Sequence, residues 1–251
     1  MDDWFLQAGH GVRFEWGPEG AERLAADAAC IVVVDVLSFT TSVTVAVESG
    51  TRVFPYRWRD ATASTFADQR GAALAVGRRM ATPSSPWSLS PAALRRAPAT
   101  PRLVLPSPNG SAIAASAGES RVVAGALRNA TAVGHWLVRQ GYGTADRPVA
   151  VIASGERWPD GSLRPAMEDL LGAGAIIAAL DEQLGGILSP EAALAAAGFH
   201  ATPDIGAAVA ASSSGRELIG GGFAEDVVVA TELDACTAVP VLTDGAFTAA
   251  P

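Results

Sequence analysis

The chain predicts an α/β fold, a three-layer α/β/α arrangement on a mostly parallel or mixed sheet. Two observations carry this. Short runs rich in β-branched residues (IVVVDV at 31–36, RLVLP at 102–106, RVVAG at 121–125, PVAVIAS at 148–154) alternate with helix-compatible segments. Continuous apolar strands separated by helices belong to a sheet covered on both faces. At 251 residues, 49% apolar and 18% charged, the chain has enough core for one compact unit over 1–251, with 1–100 and 101–251 as candidate packed halves.

VRFEW (12–16) alternates as a strand does, and GPEGAERLAAD (17–27) carries Pro and Glu early, as a helix start prefers. After the strand at 31–36, residues 40–49 form a helix despite their β-branched content. TRVFPY (51–56) is a further strand, and DATASTFADQRG (60–71) a helix capped by Asp60. The segment 80–101, rich in Pro and Ser, reads as a linker or excursion. Helices near 110–117 and 129–140 separate the next strands. Leu163, Met167, Leu170, Gly174, Ile177 and Leu184 recur at threes and fours, which predicts a central packed helix over 163–184. Ala-rich helices over 190–197 and 204–211, another near 213–220 and a closing strand at 238–242 complete the chain.

All 18 basic residues are arginine. Without lysine there is no Walker phosphate loop, Schiff base or Ser-Lys dyad. The net charge of −8 argues against a nucleic acid partner, whose backbone demands a surplus of positive charge. No window approaches the roughly 18 apolar residues of a membrane span, and MDDWFLQAGH lacks the regions of a signal peptide, so no membrane association and a cytoplasmic location are expected. Cys30 and Cys236 lack zinc or redox spacing and read as small core residues. His10, His135 and His200 are scattered, which weakens a zinc site.

In open α/β sheets ligands bind beyond the carboxyl ends of strands, where loops and helix N-termini expose N–H groups. Four strand ends here are polar. Asp35 is followed by Ser38, Thr40, Thr41 and Ser42; PSPNGS (106–111) supplies Ser107, Asn109, Gly110 and Ser111; GALRNAT (125–131) supplies Arg128 and Asn129; ASGERW (153–158) supplies Glu156 and Arg157. Each has an ordinary reading: Asp35 as a helix cap, Pro-Asn-Gly-Ser as a turn, Glu156 and Arg157 as a solvated ion pair. The only asparagines, Asn109 and Asn129, both fall in these turns, which favours a site. Glu168 and Asp169 lie in the first turns of the long helix, where carboxylates are favoured anyway. Adjacent helical residues point about 100° apart, so only one of them shares a direction with Glu156. Asp35, Glu156 and either Glu168 or Asp169 are a candidate oxygen cage for Mg²⁺. Leu37 stands where an aspartyl-phosphate phosphatase places its second Asp, and neither cysteine is followed six residues later by Arg. Metal-assisted attack by water remains.

Taken in order, VVVDVLSFTT, LPSPNGS, GALRNATAV, IASGERWPDGSLRPAMEDLLGAGAI, SGRELIGGGFAEDV and ELDACTAVPVL resemble the blocks of the 2-phosphosulfolactate phosphatase family, associated with coenzyme M biosynthesis. The resemblance implies a Mg²⁺-dependent acid phosphatase of three-layer α/β fold, often a homodimer, acting on a small, multiply anionic phosphorylated substrate. On this footing Asp35, Glu156, Arg128 and Asn129 are catalytic candidates, and Asp35, Glu156, Glu168 and Asp169 candidate metal ligands. Thr40, Thr41, Ser107, Asn109, Gly110, Ser111, Arg157, Arg164, Ser214, Gly215 and Arg216 are candidate substrate contacts. Ser213, Ser214 and Gly215 also offer a helix N-terminus for an anion. Many members carry Arg straight after the Asp-Val-Leu, where this chain has Ser38; either an arginine from elsewhere compensates or the substrate differs. The alternatives are a non-catalytic anion-binding protein on the same scaffold, and a phosphatase of this family acting on another phosphorylated hydroxy acid.

Overall fold

The structure, a computed structural model, describes residues 3–57, 60–116, 120–185 and 187–251. Its logic is visible in the strand Cys30–Val34, which is buried throughout. Cys30, Val32 and Val34 pack into one core, Ile31 and Val33 into a second on the opposite face. A strand buried on both sides needs no polar alternation, hence the continuous apolar run.

Along the chain the elements are β1 (Val12–Trp16), α1 (Gly17–Ala25), β2 (Cys30–Val34), α2 (Phe39–Glu48), β3 (Arg52–Tyr56), α3 (Ala61–Arg70) and β4 (Ala73–Leu74). A 3-10 turn (Arg78–Met80) precedes α4 (Pro91–Arg96), β5 (Arg102–Pro106), α5 (Gly110–Ser116), β6 (Arg121–Gly125), α6 (Ala130–Arg139) and β7 (Val149–Ala153). Then come the short strands β8 (Glu156–Arg157) and β9 (Leu163–Arg164), the long α7 (Met167–Leu184), α8 (Pro190–His200), α9 (Ile205–Ala211), α10 (Ser213–Gly220), α11 (Ala224–Ala230), β10 (Pro240–Thr243) and β11 (Ala246–Ala249).

The main sheet has nine strands in the order β1-β7-β2-β6-β10-β11-β3-β5-β4. The first four strands are parallel to one another, and so are the last three. Between them the hairpin β10–β11 is antiparallel to both neighbours. Three successive antiparallel pairings reverse the sense, so the two parallel blocks run oppositely. Strands from either side of residue 100 interleave, with β7 between β1 and β2. Helices α6, α7 and α8 cover one face, and α1, α2 and α5 the other, giving three layers. Among the described residues no helix is long and apolar enough to cross a membrane.

Several elements depart from expectation for identifiable reasons. Helix α7 begins at Met167 rather than residue 163, because the residue before Pro165 is pushed out of the helical region; Leu163 and Arg164 pair with Glu156 and Arg157 instead. The segment 80–101 is no linker. It contains α4, whose N-cap Ser90 accepts the Ala93 N–H with Pro91 in the first turn, and α4 packs against α2 and α11. Strand β11 is additional: Asp244 and Gly245, both at positive φ, make the tight turn that folds it onto β10. The helix expected near 110–117 is seen as Gly110–Ser116, and residue 117 lies outside the described residues.

Gly174 sets the approach of α7 to α8, since a β-carbon there would stand 2.2 Å from the Ala195 carbonyl oxygen. In an open helix Gly→Ala is worth about 1 kcal/mol of added stability. Here the clash with rigid backbone wins, and Gly174→Ala is expected to lower stability by about 1–3 kcal/mol in thermal or denaturant unfolding. An unchanged or raised stability would show that the helices are not packed this closely.

Candidate active site

The peptide after β2 turns around one carboxylate. Asp35 Oδ1 accepts the Phe39 N–H at 3.0 Å and Oδ2 the Gly110 N–H at 3.0 Å, so one side chain satisfies donors at the starts of both α2 and α5. Gly110 permits this approach: a β-carbon would lie 2.4 Å from Phe39 Cδ1 and 2.9 Å from Asp35 Oδ2. A second carboxylate does the same one layer down. Asp169, in the first turn of α7, accepts the Val36 N–H at 2.7 Å through Oδ1 and the Gly155 N–H at 2.8 Å through Oδ2. Asp35 thus meets the expectation of a cap at the start of α2.

Glu156 opens β8 and accepts the Asn109 amide at 3.1 Å. Burial pushes its carboxyl up to about 7, reinforced by Asp35 and Glu168, while the Asn109 hydrogen bond and Arg164 pull the other way. Asp169 is raised well above the usual carboxylate range, first by burial and then by Asp35 and Glu168, against the Val36 hydrogen bond. Glu168 is buried and accepts the Ser212 hydroxyl at 3.2 Å. Four acids from three segments thus repel one another within one region of low dielectric.

A cavity of about 220 Å³ opens here, lined among others by Asp35, Ser38, Ser107, Asn109, Glu156 and Ser214. On the far side of the Asn109–Glu156 hydrogen bond lies a smaller space of about 100 Å³ that includes Ser154 and Arg157. The structure therefore gathers Asp35, Ser107, Asn109, Gly110, Glu156, Ser214, Glu168 and Asp169. Arg164 belongs with them through its action on Glu156 and its bond to Ser214 Oγ at 3.3 Å.

Other candidates are engaged elsewhere. Arg128 is buried against Glu48, Glu232 and Thr44, so it ties α2 to the segment after α11 and is not in the cavity. Asn129 accepts the Ala126 N–H and donates to the Ala124 and Ala238 carbonyls, locking the turn after β6. Thr40 hydrogen-bonds the backbone of Asp35, and Thr41 donates to the Val36 carbonyl. Their hydroxyls shape the loop, and neither residue lines the cavity. Ser111 donates to the Tyr56 and Ser107 carbonyls. Arg157 donates to the Gly161 carbonyl across an exposed hairpin, and Arg216 is exposed on α10. The Gly215 N–H is taken by the Ser212 hydroxyl, so that helix start is capped by its own chain and does not await an anion there.

Like Glu217, Arg78 is a charged residue of the cavity wall that the sequence did not disclose. Its Nη2 donates to Ser38 Oγ at 2.6 Å and its Nε to Asp226 Oδ2 at 2.8 Å. A guanidinium from the segment after β4 thus stands against Ser38.

The donor set suits a hard cation in chemistry, since every candidate ligand is an anionic oxygen. The three-acid cage expected from the sequence is not formed: among the described residues, no three acid, histidine or cysteine side chains are grouped to hold a metal ion. Mg²⁺, however, is commonly bound through one or two carboxylates and otherwise by water and substrate oxygens. Asp35 and Glu156, which both line the cavity, meet that smaller requirement.

An acid-rich cleft with flanking guanidinium groups, in a three-layer α/β scaffold, defines an enzyme site for a small anion. The family comparison makes the class particular. The model of the 2-phosphosulpholactate phosphatase family matches residues 18–245, and the chain belongs to this family. It is a phosphoric monoester hydrolase. Comparison with curated proteins finds no match.

Glu156 also gives the fold a pH signature. Its folded pKa, about 7, exceeds its ordinary value of 4.5, so between these values the folded state holds more protons than the unfolded state and stability falls as pH rises. In chelator-treated protein the melting temperature is expected to drop across this window, and Glu156→Gln to remove part of that drop. Parallel pH profiles for the two proteins would show that Glu156 is not buried among like charges.

Proposed function

We propose that this enzyme hydrolyses 2-phosphosulfolactate to sulfolactate and phosphate in a Mg²⁺-dependent reaction. The observation that carries the metal dependence is the packing of Asp35, Glu156, Glu168 and Asp169 into one region, where burial first and then the neighbouring carboxylates raise Glu156 and Asp169. The family description supports the substrate.

Asp35 and Glu156 would hold the ion from the cavity wall, with Glu168 and Asp169 behind them. When bound, Mg²⁺ supplies positive charge that offsets the carboxylates and polarises a phosphoryl oxygen. The remaining roles belong to the chain. Ser107 and Ser38 bring hydroxyls to the cavity, and Arg164 places a guanidinium beside Glu156. Glu156, half-buried at the cavity wall, accepts a proton from water as the water oxygen bonds to phosphorus and the ester P–O bond breaks. The departing alkoxide takes up the proton that Glu156 received, giving the hydroxy acid and inorganic phosphate and restoring the carboxylate. Asn109 fixes the Glu156 carboxylate through its amide, so the base is oriented before substrate arrives.

Phosphate release from 2-phosphosulfolactate and related phosphorylated 2-hydroxy acids is expected with Mg²⁺ and to cease with chelator. Full activity in chelator, or no release from any of these esters, would overturn the reading. Glu156→Gln is expected to lower kcat by about 10²–10⁴-fold, measured under saturating substrate. Mg²⁺ alone is expected to raise the melting temperature at pH 7, because it binds the folded acids and not the unfolded chain.

A further inference from the structure

Among the described residues Arg78 is the only cationic side chain lining the larger cavity, and it is built in from outside the acid cluster. Asp226, 1% exposed, receives its Nε; the other Asp226 oxygen is held by the Ser90 hydroxyl and the Ala92 N–H. The guanidinium also lies 5.7 Å from the centre of the Phe223 ring. Helices α4 and α11 therefore fix the plane of the fork before any ligand binds. Of the five N–H donors of a guanidinium, the bonds to Asp226 and Ser38 use two. Three remain, two on Nη1 and one on Nη2, and a guanidinium can bind an oxyanion through two such hydrogen bonds.

Two guanidinium groups stand near these acids with different attachments, Arg78 on the cavity wall and Arg164 off it. Arg164 acts on Glu156 and bonds Ser214, at the end where water is activated. Arg78 is pinned at the Ser38 wall by Asp226. The space of about 220 Å³ is several times the roughly 30 Å³ share of one water, room for more than a phosphate. We propose that Arg78 binds the non-reacting oxyanion of the substrate, its carboxylate or sulfonate, and so selects phosphate esters of hydroxy acids over phosphomonoesters without a second anion. This rests on the hydrolytic reading above and assigns the specificity within it. Asp226 is a positioning residue that acts through Arg78.

Arg78→Gln alone leaves a buried carboxylate unpaired and threatens the fold, so the test pairs it with Asp226→Asn and adds Arg78→Lys. Thermal melts establish that the variants are folded. By calorimetry the double variant is expected to bind 3-sulfolactate about 10- to 100-fold more weakly, with inorganic phosphate weakened much less and Arg78→Lys intermediate. In turnover, kcat/KM for a phosphorylated 2-hydroxy acid is expected to fall at least about tenfold more than that for ethyl phosphate, through KM. Equal losses for sulfolactate and phosphate, or no binding of sulfolactate by the wild-type protein, would overturn the assignment. A wild-type protein that binds sulfolactate but releases phosphate from no ester would overturn the hydrolytic reading alone, and the calorimetry would still decide Arg78.

Discussion

Two carboxylates, Asp35 and Asp169, hold the site together through backbone N–H groups. Asp35 joins the starts of α2 and α5, and Asp169 joins the peptide after β2 to the peptide after β7. Four stretches distant in sequence become one unit through four hydrogen bonds. Desolvating a carboxylate costs several kcal/mol, and charge-assisted bonds from fixed amides offset it. That compensation is local and leaves the acids facing one another. Folding therefore buries carboxylates beside one another where a cation or a proton relieves them, and burial first, then the neighbouring acids, raises Glu156 and Asp169.

Topology decides which turns can share this arrangement. The turns after β2 and β7 lie at one edge because those strands are parallel neighbours. The turn after β5 belongs to the oppositely running block, joined to the first only by the hairpin β10–β11. It reaches Asp35 because α5 packs against α1 and β2 and because Gly110 has no side chain to collide with Phe39. A small residue at that position thus connects the two halves of the sheet at the active cleft.

Much of this was legible in the sequence because it follows local rules. The β2 run, the Asp60 cap and the acids opening α7 are each dictated within a few residues. Polar residues after a strand, by contrast, look alike whether they serve the cavity or the backbone. Asn129 and Arg128 read as site residues, yet one closes a turn and the other ties α2 to the segment after α11. The threonines after Asp35 are taken up by peptide groups. Arg78 escaped for the opposite reason. Its neighbours carry no periodic pattern, and its meaning comes from Asp226, 148 residues later.

The arginines also resolve a difficulty posed by the net charge of −8. Repulsion of a multiply anionic substrate is screened beyond a Debye length of about 8 Å at physiological salt, so the overall charge acts weakly on approach. Within that distance the fixed groups decide. Arg78 is paired with Asp226, which is more deeply buried than the guanidinium, so the end of the pair on the cavity wall is the cation, in a wall that also carries Asp35, Glu156 and Glu217. Arg128 pairs with Glu48 and Glu232 and offers no such face. What distinguishes a recognition arginine here from a structural one is where its carboxylate partner lies relative to the open space, a property of three dimensions that composition does not encode.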